Sequence, residues 1–190
     1  MAPGELEAGS TALVIGSRHD RRTFCLDHLA TAERTAAVVL PPDPGAVIEE
    51  YERLGGEAPL TVVLDESTGT LPTDGPGVHT TTVDAGSLPS VGEAALGTIE
   101  TDGTGPPADR LWIAGLPDLL ERASVQQVYR LLYILSEHVR RVDGLGLYGL
   151  SASTEQKTVR ILRQALDYEI TLEPGSDPET RTLAEPSTGA

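Results

Sequence analysis

"TALVIGSRHDRRTFCLDHLA", residues 11–30, opens on an apolar run and closes on a stretch with helical character. Between them lies "GSRHDRRT" (16–23). A short strand, a loop opened by glycine and a following helix form the setting of the phosphate-binding template G-x-x-x-x-G-K-[ST], whose backbone N–H groups cradle phosphate. Gly16 matches the first glycine and Thr23 the final hydroxyl residue, whereas Arg21 stands at the second glycine and Arg22 at the lysine. Arg22 retains a cation of different shape, but Arg21 adds bulk where the backbone must curl closely around an anion. The residues left as a vestigial phosphate-binding set are Gly16, Arg18, Arg22 and Thr23, with a helix expected from about Arg22 to Thr31. With His19 and Arg21, these arginines form a basic cluster, read either as a residual anion site or as surface arginines paired to neighbouring acids.

The same alternation continues outward from this stretch. Apolar runs at 35–40, 60–65, 110–116 and 144–150 predict strands, as do the threonine-valine run at 78–83 and "YEITLE" at 168–173. Between them, 45–56 is amphipathic and ends in Gly55-Gly56, and 87–101 reads as a weak helix broken early by Pro89 and Gly92. The longest helix starts near Ser124, where Val125, Val128, Leu132, Leu135, Val139 and Val142 repeat at steps of three and four. Ile134 lies on the opposite side of that helix, among Gln127, Arg130 and Arg141, and is the candidate partner-surface residue. Ser153 and Gln156 have capping-box spacing before a further helix. Strands separated by helices predict an α/β fold of three layers, a mainly parallel central sheet with helices on both faces. The expected organisation is a flexible N-terminus over 1–9, one domain over 10–173 and a disordered acidic tail over 174–190.

Composition limits what such a fold does. The 190 residues suffice for one sizeable core, and the formal charge of -15 repels nucleic acid and anionic lipid. Lys157 is the only lysine. A surface rich in Asp and Glu, with arginine carrying nearly all positive charge, resembles that of cytoplasmic proteins in salt-accumulating halophilic archaea, where salt screens the repulsion. Cys25 is the single cysteine, which rules out an internal disulfide and a cysteine-built zinc site. No apolar run approaches the length of a spanning helix, and the acidic "MAPGELEAGS" lacks a signal-peptide core. A cytoplasmic location without membrane or nucleic-acid partners is expected.

Two longer segments carry a family resemblance. "TAAVVLPPDPGAVIEEYERLGG" (35–56) resembles the part of KaiC-type RecA-superfamily ATPases in which a strand ends in two glutamates, followed by Ser-Pro and a helix closing on Leu-Gly. Leu40 takes the last apolar place, Pro44 keeps the proline, and Pro41 and Pro42 fall where the two glutamates would stand. "RLWIAGLPDLLERASVQQVYRLLYILSEHVRR" (110–141) resembles the Walker B segment of the same group. Asp118, Leu119 and Leu120 match its downstream part, while Ala114 takes the metal-ligating aspartate position and Gly115 the serine position. The resemblance covers about residues 10 to 173 and implies a RecA/P-loop-NTPase-like fold.

Hydrolysis requires phosphate neutralisation, a carboxylate-held Mg²⁺ and a positioned water. Arg21, Arg22, Ala114, Pro41 and Pro42 replace the groups that supply all three, so the expectation is a pseudo-ATPase: no catalytic residues, no metal ligands, no cofactor, and a regulatory or assembly role through protein partners or self-association. The alternative is a nucleotide-binding switch or ATPase using ATP and Mg²⁺, with Arg22 and Thr23 on the phosphates and Asp65 or Asp118 supplying the carboxylate. Asp65-Glu66 ends a strand, where ligands of parallel sheets bind. His19, His28, His79 and His138 are dispersed, and Ser17, Ser151 and Ser153 lack the setting of a nucleophile.

Overall fold

The structure, a computed structural model, describes residues 6–69, 77–100 and 107–183. In chain order the elements are β1 (Ser10–Gly16), α1 (Arg18–Leu29), β2 (Ala36–Val39), α2 (Pro44–Arg53), β3 (Leu60–Asp65), β4 (Val78–Val83) and α3 (Leu88–Ile99). They continue with β5 (Arg110–Ile113), α4 (Leu116–Arg122), α5 (Val125–Arg141), β6 (Leu145–Ser151), α6 (Gln156–Leu162), β7 (Tyr168–Thr171) and β8 (Glu179–Thr182). All eight strands form one sheet in the order β4-β3-β2-β5-β6-β1-β7-β8, parallel throughout except for the antiparallel pair β7 and β8.

The apolar runs become strands because both faces of the sheet are covered, which places successive side chains in two separate cores. Ala12, Val14, Val38, Val62, Trp112 and Leu147 pack with Phe24, Leu26, Val47 and Tyr51 of α1 and α2. Leu13, Val39, Val63, Ile113 and Leu150 pack on the other face with Val91, Leu116, Leu132 and Leu162 of α3 to α6. The three-layer α/β expectation therefore holds. No helix among the described residues is long and apolar enough to cross a membrane.

Several local expectations need correction. Residues 174–190 are not uniformly disordered: Glu179–Thr182 pairs in register with β7, Thr171 opposite Glu179, while 184–190 lie outside the described residues. In the segment expected to be flexible, Leu6 packs against the core and the Gly9 N–H donates to Gly144 O at 2.7 Å; residues 1–5 lie outside the described residues. The strand expected at 110–116 stops at Ile113, because Pro117 sits in the first turn of α4, where its missing N–H costs nothing. Ser153 does not cap α6, whose N-cap is Glu155; the Ser153 N–H donates instead to Ser151 Oγ. The capping box occurs on α5, where Ser124 and Gln127 satisfy each other's backbone N–H.

One carboxylate away from the C-terminal edge fixes how β2 and β5 align. Asp109, only 5% exposed, precedes β5 and accepts the backbone N–H groups of Glu33 at 2.9 Å, Arg34 at 3.1 Å and Thr35 at 3.0 Å. Burial alone would raise its carboxyl, but those amides, with the Arg110 guanidinium, bring it below the ordinary carboxylate value. Asp167 plays a comparable part just before β7, accepting from Thr11 N and Oγ1 and pairing with Arg140 at 3.0 Å.

Candidate functional site

The segment expected to loop around phosphate is helical. Ser17, in extended backbone, is the N-cap of α1 and accepts the Asp20 N–H at 3.1 Å, while the Arg21 N–H returns to Ser17 O at 3.0 Å. The helix thus starts at Arg18 rather than near Arg22, and residues 18–21 cannot wind around an anion. Capping explains the difference: a serine before the first turn and an acid in it give a self-sufficient helix start. Gly16 owes its small size to packing, since a Cβ there would stand 2.9 Å from the Leu172 side chain.

The four residues of the vestigial set do not converge. Arg18 and Arg22 line a small cavity of about 30 Å³ together with Arg21, Pro42, Asp43, Val47, Trp112, Ala114 and Gly149. Thr23 instead faces a separate depression with His19, Asp20, Asp27, Glu173 and Ser176. Thr23 lies one residue past Arg22, about 100° further round the helix, so it shares no site with the arginines. Arg22 is held by Glu50, Nε to Oε2 at 2.9 Å.

Arg21 is the innermost member of the cluster, 9% exposed. Its Nε reaches Ser17 O at 3.4 Å. Burial lowers the guanidinium's affinity for its proton and nearby Arg18 adds to that, against the opposing influence of Cys25 and Asp118.

Beside this cavity runs a wider cleft of about 300 Å³, lined by Arg18, Leu40, Pro41, Pro42, Asp65, Thr68, Ala85, Asp118, Leu119 and Arg122. Both spaces follow the C-terminal ends of parallel strands, the usual position for ligands in such sheets. Asp65 is engaged there: the Ser67 hydroxyl donates to it at 2.7 Å, Arg122 stands 3.7 Å away, and these contacts with the Ala85 and Ser67 amides lower its pKa despite some burial. Leu40 sits at the rim in the left-handed region, φ +53°, a conformation costly for a branched side chain. Gly115 makes room for it; a Cβ at that position would fall 2.5 Å from Leu40 Cβ and 2.7 Å from its carbonyl oxygen.

Among the described residues no group of three His, Cys, Asp or Glu side chains is placed to hold a metal ion. His138 pairs with Glu100 at 2.8 Å and bonds Ile134 O, and His28 bonds Phe24 O, so these two histidines serve their own surroundings. Ser151 and Ser153 hydrogen-bond each other at 2.8 Å.

On the opposite layer, Ile134 is 46% exposed, as its place on the helical wheel implied, and Tyr133 beside it is 49% exposed. Tyr129 extends this patch, its ring centroid 6.4 Å from that of Tyr133. Sequence periodicity pointed to Ile134 but passed over Tyr133.

The chain belongs to the family of unknown function DUF7504, whose profile matches residues 9–172. No curated protein matches it significantly. Among solved structures, it is similar to a protein of Pyrococcus horikoshii OT3 from a structural study, at 13% identity and a TM-score of 0.59, over 95% of this chain and 90% of that one. At that identity the likeness concerns the fold alone.

Proposed function

We propose that this member of DUF7504 is a RecA/KaiC-like domain without ATP hydrolysis, acting as a regulatory or assembly module in the cytoplasm of a halophilic archaeon. One observation carries the reading. Arg22, Pro42 and Ala114 come from three separate segments, stand where the resemblance expects lysine, glutamate and aspartate, and line one cavity of about 30 Å³. Residues that follow neighbouring parallel strands meet at this edge in any such sheet, and the three that meet here are those the resemblance names. Pro42 and Ala114 carry no carboxylate, the cation of Arg22 is held by Glu50, and Arg21 occupies the space above Gly149.

The cavity is narrow, and α1 begins too early to leave a phosphate loop. No carboxylate stands in the aspartate position to hold Mg²⁺, and no carboxylate pair replaces Pro41 and Pro42 to orient water. What such a fold retains is surface. Tyr133 and Ile134, exposed on α5, supply an apolar contact of the sort that seeds association.

A second reading is favoured by the cleft in which Arg18 and Arg122 face Asp65 and Asp118. It is wide enough for part of a nucleotide, and its mixed charge suits a phosphate-bound cation, which makes a nucleotide switch the alternative. Calorimetry with Mg-ATP, Mg-ADP and Mg-GTP in molar KCl, alongside an ATPase assay, separates the two. The first reading expects neither binding nor turnover from a folded sample. Micromolar binding lost in Arg22→Ala supports the switch, and sustained hydrolysis abolished by Thr23→Ala overturns the pseudo-ATPase assignment.

A further inference from the structure

The cavity under α1 holds two buried donors without acceptors. Arg21 Nη1 and Trp112 Nε1 are both shielded from solvent and neither finds a hydrogen-bond partner on the protein among the described residues. They border the same space: a Cβ on Gly149 would lie 3.4 Å from Trp112 Nε1 and 3.8 Å from Arg21 Nη1. Leaving one such donor unpaired costs about 1–3 kcal/mol, and more when it is charged. Two of them converging on one cavity is the pattern of a site built for an acceptor.

The charge around it selects the acceptor's sign. Arg18, Arg21 and Arg22 line the cavity against one acid, Asp43, which caps α2 through Ala46 N; Glu50 is taken by Arg22 and Arg53, and Asp118 acts on Arg21 from the neighbouring cleft. The volume selects its size. The space is small, about 30 Å³, which suits a compact anion.

We propose that Arg21 and Trp112 bind one small monovalent anion of halide size, chloride in ordinary salt solutions, over Gly149. This goes beyond the pseudo-ATPase reading and does not rest on it. Folding is then linked to chloride by mass action, beyond any general screening.

Trp112 is the only tryptophan and reports the site directly, because a heavy halide in contact with an indole quenches its emission. Bromide is titrated into the protein at constant molar potassium, with glutamate as the balancing anion and circular dichroism verifying the fold. The expected result is saturable quenching, reversed by added chloride and not by sulfate. Arg21→Gln removes the saturable part. Gly149→Ala does so with less risk to folding, since its methyl group meets Trp112 and Arg21 at ordinary contact distance while filling the space between the donors. Purely linear quenching, saturation that survives in Gly149→Ala, or sulfate competing as well as chloride would each overturn the proposal.

Discussion

Replacing Asp109 with alanine tests whether one carboxylate holds the start of β2 against β5. Its two oxygens accept three backbone N–H groups, those of Glu33, Arg34 and Thr35, across more than seventy residues of sequence. The Thr35 amide is buried and costs about 1–3 kcal/mol when orphaned; the other two reach partial solvent and forfeit about 0.5–1.5 kcal/mol each. Asp109→Ala therefore destabilises by about 2–6 kcal/mol, a fall in Tm of roughly 4–24 °C at this chain length. Asp109→Asn keeps the two bonds to one oxygen but turns an amide against the Glu33 N–H, for a loss of about 1–2 kcal/mol. The pH dependence has a definite sign. Because the folded carboxyl titrates below its unfolded value of about 3.9, its contribution is complete above that value and disappears as the pH falls through the folded pKa. Denaturant unfolding in molar KCl at neutral pH and at progressively lower pH reads both effects. A loss under about 1 kcal/mol for Asp109→Ala, or an unchanged gap between wild type and variant in acid, refutes the reasoning.

Other outcomes follow from the same geometry. Gly115→Ser, which would restore the serine of the resembling family, forces an atom against the left-handed Leu40 backbone and costs about 1–3 kcal/mol by overpacking, read from the unfolding midpoint. Cys25 is buried and its thiol is pushed up by desolvation, so alkylation of the native protein at pH 8 runs at least about a thousandfold slower than in the unfolded chain, since only an opening of about 4 kcal/mol or more exposes it. If α5 is the assembly face, Ile134→Asp weakens self-association or partner binding by at least about tenfold in light scattering or titration, yet leaves the Tm within about 2 °C because the site is exposed in the free domain. An equal loss of Tm would mean that Ile134 serves the fold.

What could be read from the sequence tracks which forces act locally. Strands at 35–40 and 60–65 were legible because burial on both faces makes a parallel strand an unbroken apolar run. The α5 stripe was legible because seventeen helical residues repeat the period enough times to show a face. By contrast, β8 is Glu-Thr-Arg-Thr, whose backbone pairing with β7 leaves no apolar pattern. The start of α1 was masked by the glycine-led spacing, though Ser17 and Asp20 carried a cap signal three residues apart. Within the site, Arg22, Pro42 and Ala114 were linked by resemblance alone, but the partnership of Arg21 with Trp112, like that of Asp109 with Thr35, spans so much chain that only the folded register creates it.

The place of β1 sets a schedule for synthesis. It is made before the other described strands, yet its neighbours are β6 and β7, with Ser10 paired to Leu145 about 135 residues later. At a ribosomal rate of about 5–20 residues per second, roughly 7–27 s pass before its main partner exists. During that interval "TALVI" is an apolar, β-forming segment with both edges unsatisfied, while β2 and β3 already have each other. Among the described strands β1 therefore waits longest for a partner, and a chaperone acting on this protein should hold residues 10–16 until β6 leaves the exit tunnel.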